Sequence, residues 1–299
     1  MNEGEEQDLR ELLTSLEQAD KLAKFASGLT TAAPLAGDDT LADPHRVSPG
    51  AWTAVVVAVD HLLALWATPV REESPEGTSA VIHSHAQASL VRGVIENAAR
   101  AWWLLGPEDR MLRIRRRLAL QIKEVKDSNT LHGRFKTVPA RDQETRLAEV
   151  RSLALAAGAP AASIKAFLAA PQYTKIAEEA GEDYALGGEL VLTFWSACSS
   201  LAQCDINGTL GLLRHEIVAE DGDVALARFT GNVSMLRRTT EAGIHLLDRA
   251  LALYSQRGAA PGQASRSRAA DQGLQPSPSG FAHQTAPSSA WSGSLDGGV

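Results

Sequence analysis

The chain has 299 residues, 44% hydrophobic and 22% charged, with a formal net charge of −7. This is ordinary globular composition, enough for one large domain or two modest ones. The negative balance excludes attraction of nucleic acid by the molecule as a whole, so any such contact must come from a local patch.

Residues 1–48 read as an N-terminal helix and a loop. The acidic opening NEGEEQDLRELL argues against a secretory leader and points to the cytoplasm. Leu9, Leu12, Leu13, Leu16, Leu22 and Phe25 recur at helical spacing over Glu5–Ser27. Leu29–Pro49 reads as loop, with Ser48 as N-cap and Pro49 in the first turn of the next helix. That helix, Gly50–Thr68, is GAWTAVVVAVDHLLALWAT. Its length is borderline for a membrane span. Asp60 and His61 sit near its middle, where an Asp costs about 2.5–3.5 kcal/mol. A buried core helix is favoured, and no membrane partner is expected.

After a polar break at Pro69–Gly77, a third helix is expected over Thr78–Leu105, ended by Gly106-Pro107. A fourth runs from Pro107 to about Asp127, with Glu108 and Asp109 in its first turn. Asn129–Pro139 reads as loop. Shorter helices follow at Arg141–Ala157, Ala162–Ala169 and Gln172–Ala180, then a long apolar one at Tyr184–Gln203. Leu212–Phe229 has two semi-alternating runs around Glu220-Asp221-Gly222-Asp223, a hairpin signal. A last helix covers Asn232–Tyr254, and 258–299, rich in Gly, Ser, Pro and Ala, reads as disordered. The expected fold is all-α: a multi-helix bundle over 49–257, a short β-hairpin near 212–229 and a disordered C-terminal tail.

On the third helix, apolar residues from Leu90 to Leu105 cover well over half the circumference, as in the central helix of a bundle. Trp102 falls on this core side. The remaining strip holds Arg92, Glu96, Arg100 and Trp103. Spaced by four, Arg92, Glu96 and Arg100 can pair. Exposed, such pairs contribute about 0.3–0.5 kcal/mol; buried, they form a polar seam able to shape a ligand or phosphate site. On the fourth helix the apolar arc is Met111, Leu112, Leu118, Ala119, Ile122 and Val125. Arg113, Arg116 and Arg117 fall outside it and Arg115 inside, which predicts a contact of Arg115 with Glu96 or Asp60. Arg110–Lys136 is the one basic stretch in an acidic chain. It reads either as a solvated face or as an RNA or phosphate contact through Arg113, Arg116, Arg117 and Lys123.

Further along, Ser199, Ser200, Gln203, Cys204 and Asp205 follow an apolar run; small polar residues there permit close helix packing. The two cysteines, Cys198 and Cys204, form no C-x-x-C pair, and free, mostly buried thiols are expected. His83 and His85 are two apart and would face different ways on a helix, so no metal site or cofactor is expected. The last helix carries Arg238, Glu241, His245 and Asp248 on one stripe. This is either a solvated charged face or an Arg/His pair for RNA cleavage, with His245 as general acid–base and Arg238 stabilising phosphate charge.

AVDHLLALW (Ala58–Trp66), followed by SLVRGVIENAARAWWLLGPEDRMLRIRRRL (Ser89–Leu118), resembles a family of uncharacterised, mostly actinobacterial, all-helical proteins. In that family an Arg-x-x-x-Glu helix ends in Trp-Leu-Leu and a Pro. FWSACSSLAQCDING resembles its second helical signature, with Gln203 about where a His stands. The family is similar in layout to the HEPN superfamily, whose RNase and toxin members place an Arg and then a His with four to six residues between them. Arg238-TTEAGI-His245 follows the loosest form of that spacing, with Thr239 where Asn, Asp or His often follows the Arg. Two functions stay open: a regulatory or interaction protein that contacts an anion, RNA or a protein partner, and a HEPN-like ribonuclease or defence-linked toxin. Trp103 and the apolar rims leave a homodimer open as well.

Overall fold

The structure, a computed structural model, describes residues 3–29, 35–68, 70–74, 77–182, 187–221 and 224–258. The tail from 259 onward, expected to be disordered, lies outside them. Eleven α-helices occur among the described residues: α1 (Glu3–Gly28), α2 (Ala36–Ala42), α3 (Val47–Ala67), α4 (Ala86–Leu105), α5 (Arg110–Phe135), α6 (Gln143–Ala156), α7 (Ile164–Phe167), α8 (Tyr173–Gly181), α9 (Gly188–Ala202), α10 (Ile206–Leu212) and α11 (Val233–Gly258). Two antiparallel hairpins complete them. β1 (Val70–Ser74) pairs with β2 (Gly77–Val81), and β3 (Arg214–Asp221) pairs with β4 (Val224–Thr230), with a register shift between Ile217 and Ala219.

The all-helical bundle and the hairpin near 212–229 are as expected. The first hairpin is not: Thr78 and the residues up to Val81 form a strand against Val70–Ser74, so the third expected helix begins only at Ala86. The loop expected over 29–49 contains α2, and the loop expected at 129–139 is helical as far as Phe135. There Lys136 takes a left-handed conformation (φ 54°) and Thr137 N–H donates to the His132 carbonyl at 3.0 Å, closing the last turn. Asn207-Gly208, a pair common in turns, lies inside α10, because the Asp205 carboxylate accepts from Asn207 N–H and caps a new helix.

α4 is central, with α3, α5, α8, α9 and α11 packed around it. Val91, Val94, Ile95, Ala98, Ala101 and Leu105 are buried on its successive turns. Gly106 N–H still bonds to the Trp102 carbonyl at 2.7 Å, and Pro107 then stops the ladder. α5 starts after this elbow, at Arg110, with the Asp109 carboxylate accepting from the Met111 and Leu112 N–H groups, each at 3.1 Å. α3 is long and apolar enough to cross a membrane by length and composition. It packs on α1, α4 and α11 through Ala51, Val55, Ala58, Leu62 and Leu65, and turns Val56, Asp60 and Trp66 outward.

α11 and α4 start at one end of the bundle and finish at the other. Gly231, just before α11, lies against Ile82, just before α4, while Arg257 near the end of α11 donates to the carbonyls of Leu105, Gly106 and Pro107 at 2.6, 3.1 and 3.0 Å. α1 runs along α11 and is tied to it by Arg237, which donates to Asp8 at 2.8 Å and pairs with Glu11 at 3.2 Å.

Candidate functional site

The arginine run divides differently from its spacing. Arg113, expected outside, is buried: Nε and Nη2 donate to the Asp38 carboxylate at 2.6 and 3.2 Å, and Nη1 to the carbonyls of Pro107 and Glu108, both at 2.7 Å. Arg116 and Arg117, also expected outside, are partly buried. Arg116 pairs with Glu179 at 2.9 Å and lies 4.5 Å over the Trp103 ring, and Arg117 reaches Gln121 at 2.6 Å and Glu124 at 3.3 Å. Arg115, expected inside, is exposed. It meets neither Glu96 nor Asp60, and instead donates to the Phe167 carbonyl at 3.0 Å.

Leu112, Ala119 and Ile122 explain the error. They share one stripe of α5 with Arg115, Arg116, Lys123 and Lys126, since positions 112, 115, 116, 119, 122, 123 and 126 recur at three and four. That stripe faces a trough rather than the bundle axis. The true core face of α5, with Ile114, Leu118 and Val125, lies on the other side. An apolar arc therefore pointed to two different places, and its mean direction fell on Arg115.

The predicted seam likewise separates into unconnected groups. Arg92 pairs with Glu96 at 3.4 Å, Glu96 accepts from Trp195 Nε1 at 3.3 Å, and the Arg92 guanidinium lies 5.5 Å over the Trp195 ring. Arg100 pairs across to Glu124 on α5. Asp60 is exposed on α3. Trp103, expected on the polar strip, is buried and donates from Nε1 to Glu179 at 2.8 Å. Trp102, expected in the core, is only partly buried, and its Nε1 has no hydrogen-bond partner among the described residues.

The trough consists of two hollows along this face of α5. The larger, about 1270 Å³, is lined by α5 (Ile122, Lys123, Lys126), α6 (Leu147, Arg151) and the 162–173 segment, including Ile164, Lys165, Leu168 and Tyr173. The smaller, about 290 Å³, continues along α5 past Ala119 to Arg115, Arg116 and Leu112, with Trp103 and Glu179 opposite. Ala169, Ala170 and Pro171 border both. Lys126 and Lys165 are exposed and make no ion pair among the described residues. Arg151 touches only the exposed Glu144 at 3.8 Å. Lys123 pairs with Asp127 and lies 5.7 Å over the Tyr173 ring. Of the residues assigned to phosphate contact from the sequence, Lys123 and Arg116 line this trough, whereas Arg113 and Arg117 are turned elsewhere. Arg151, Lys165 and Tyr173 were missed because their own helices were foreseen but nothing in the sequence shows that α6, α7 and α8 close around the same face of α5.

On α11, Arg238 is exposed, His245 is half-buried, and seven residues separate them by about 10.5 Å along the axis. Glu241, placed with them by spacing, is held by Arg237 at 2.9 and 3.0 Å. Burial first, then Arg249, lowers the His245 pKa from its ordinary value, against an opposing pull from Asp248. Thr239 is buried where α9 meets α11, beside Cys198, whose thiol is pushed up to about 12 by burial. Cys204, expected to be buried, is exposed just past the end of α9, near Gln203. His83 and His85 precede α4 rather than lying on a helix, and His85 Nδ1 meets the Leu201 carbonyl at 3.0 Å.

His45, between α2 and α3, should make stability depend on pH. Burial and then the Arg117 charge lower its pKa from 6.5, although Glu149 and Glu124 pull the other way. The unfolded chain then binds more protons than the folded one just below that value, so stability rises with pH and is lost as pH falls through 6.5. Denaturant midpoints should fall between about pH 7.5 and about pH 5.5, and His45→Gln should flatten that change. An unaltered slope in the variant would remove His45 from the account.

An all-α bundle with a cation-walled trough along one face of α5 is the class that fold and site together define. No protein-family model, curated protein or solved structure matches the chain.

Proposed function

We propose that this protein is a non-catalytic interaction or regulatory module that binds an anionic partner along α5. The observation that carries the reading is the trough. Its floor is aliphatic, and its rim is cationic on α5, α6 and α7 in a chain of net charge −7. A local basic patch in an acidic molecule concentrates anions where whole-molecule charge would repel them. The ribonuclease reading has weaker support, because Arg238 and His245 stand two turns apart on a surface stripe and no part of the trough contains either.

The test is binding of two labelled polyanions, poly-L-glutamate and an RNA oligonucleotide, at about 50 and about 200 mM salt. At least one should bind to the wild type, more weakly at the higher salt, with about a tenfold loss or more in Lys126→Glu/Lys165→Glu. Binding untouched by the double charge reversal would rule out the trough as the site. RNA cleavage by the wild type but not by His245→Ala would establish the nuclease reading in its place.

A further inference from the structure

Resting on that reading, we infer that the trough takes an acidic amphipathic helix of a partner protein, about four turns long. The α5 stripe that lines it runs from Leu112 to Lys126. That span is about 21 Å of helix axis, which an antiparallel or parallel partner helix of about fourteen residues matches. The larger hollow exceeds the upper range of about 1000 Å³ for small-molecule sites.

Its floor, made by Ile122, Leu147, Ile164 and Leu168, is aliphatic, and the one aromatic ring on this part of the wall is Tyr173. Single-stranded RNA binds by stacking bases on aromatic platforms, and an aliphatic floor offers none. An amphipathic helix instead lays residues at i, i+3, i+4 and i+7 into such a groove. The cations stand on both sides of the floor: Lys123 and Lys126 on α5, Arg151 on α6 and Lys165 on α7. A helix whose apolar stripe has Glu or Asp on each flank meets all of them at once, and one with Lys on its flanks is repelled.

The probe is a fluorescent Leu/Glu model helix of about fourteen residues with its leucines on one stripe. Its controls are the same composition in a non-amphipathic order, and a Leu/Lys version with the same pattern. Wild-type protein should bind the amphipathic Leu/Glu peptide about tenfold or more tighter than either control. Lys126→Glu/Lys165→Glu should lose that preference, while Ile122→Ser should weaken the peptide but leave poly-L-glutamate unchanged. Circular dichroism of each variant confirms that it folds. If both acidic peptides bind equally, or RNA binds and the peptide does not, the helix inference is overturned and the anion-binding reading stands. If charge reversal changes nothing for any probe, both fall.

Discussion

Asp38→Ala should unfold at a markedly lower denaturant concentration than the wild type, with a loss of about 3–5 kcal/mol. The Asp38 side chain is 2% exposed and that of Arg113 is 7% exposed, and the carboxylate takes Nε and Nη2 of Arg113 together with Nε of Arg110. Removing it leaves the Arg113 guanidinium buried with only the Pro107 and Glu108 carbonyls, and an uncompensated buried charge dominates the cost. It also cuts α2 loose from α5. Asp38→Leu combined with Arg113→Met removes both charges and should recover much of the loss, since apolar replacement of a buried pair is often close to neutral. Equilibrium unfolding of the three proteins checks the pattern. A single variant as stable as the wild type would show that the pair contributes nothing.

Trp103→Ala should cost about 3–5 kcal/mol, as for a large buried aromatic. Trp103 is 4% exposed, its Nε1 is bonded to Glu179, and Arg116 lies over its ring. The variant also frees Glu179 and Arg116 at the end of the trough, so it should alter ligand binding as well as stability. The adjacent Trp102→Phe should be nearly neutral by comparison. It removes a buried indole N–H that has no partner among the described residues and keeps most of the apolar surface. Equal losses from the two substitutions would contradict this division of the Trp-Trp pair.

The pair also shows what the sequence could reveal. The helical period, the Gly106-Pro107 stop and the Glu220–Asp223 turn are local signals, and the bundle, the elbow and the β3–β4 hairpin were legible from them. The choice between Trp102 and Trp103, or between Arg113 and Arg115, depends on what stands opposite. α4 and α5 are surrounded on several sides, so neither has a single inward direction for periodicity to report. Asp38 and Glu179, the carboxylates that decide the matter, lie 75 residues before Arg113 and 63 after Arg116. Asp38 sits in a stretch that composition marked as loop, and Glu179 in a short helix. The trough was only half legible for the same reason: its α5 wall is periodic, whereas its opposite wall comes from α6 and the segment around Pro171, which only the fold brings alongside α5.

The alignment of α1 and α11 has a mechanical consequence. Asp8 and Glu11 near the start of α1 hold Arg237 near the start of α11, so both helices leave the same end of the bundle. α11 then runs 26 residues, about 39 Å, to the end where Arg257 grips the carbonyls of the α4–α5 elbow. Tension applied between Glu3 and Gly258 would act along the helix axes. It would load the α1–α11 and α4–α11 contacts in shear, many at once, rather than peel them apart one turn at a time.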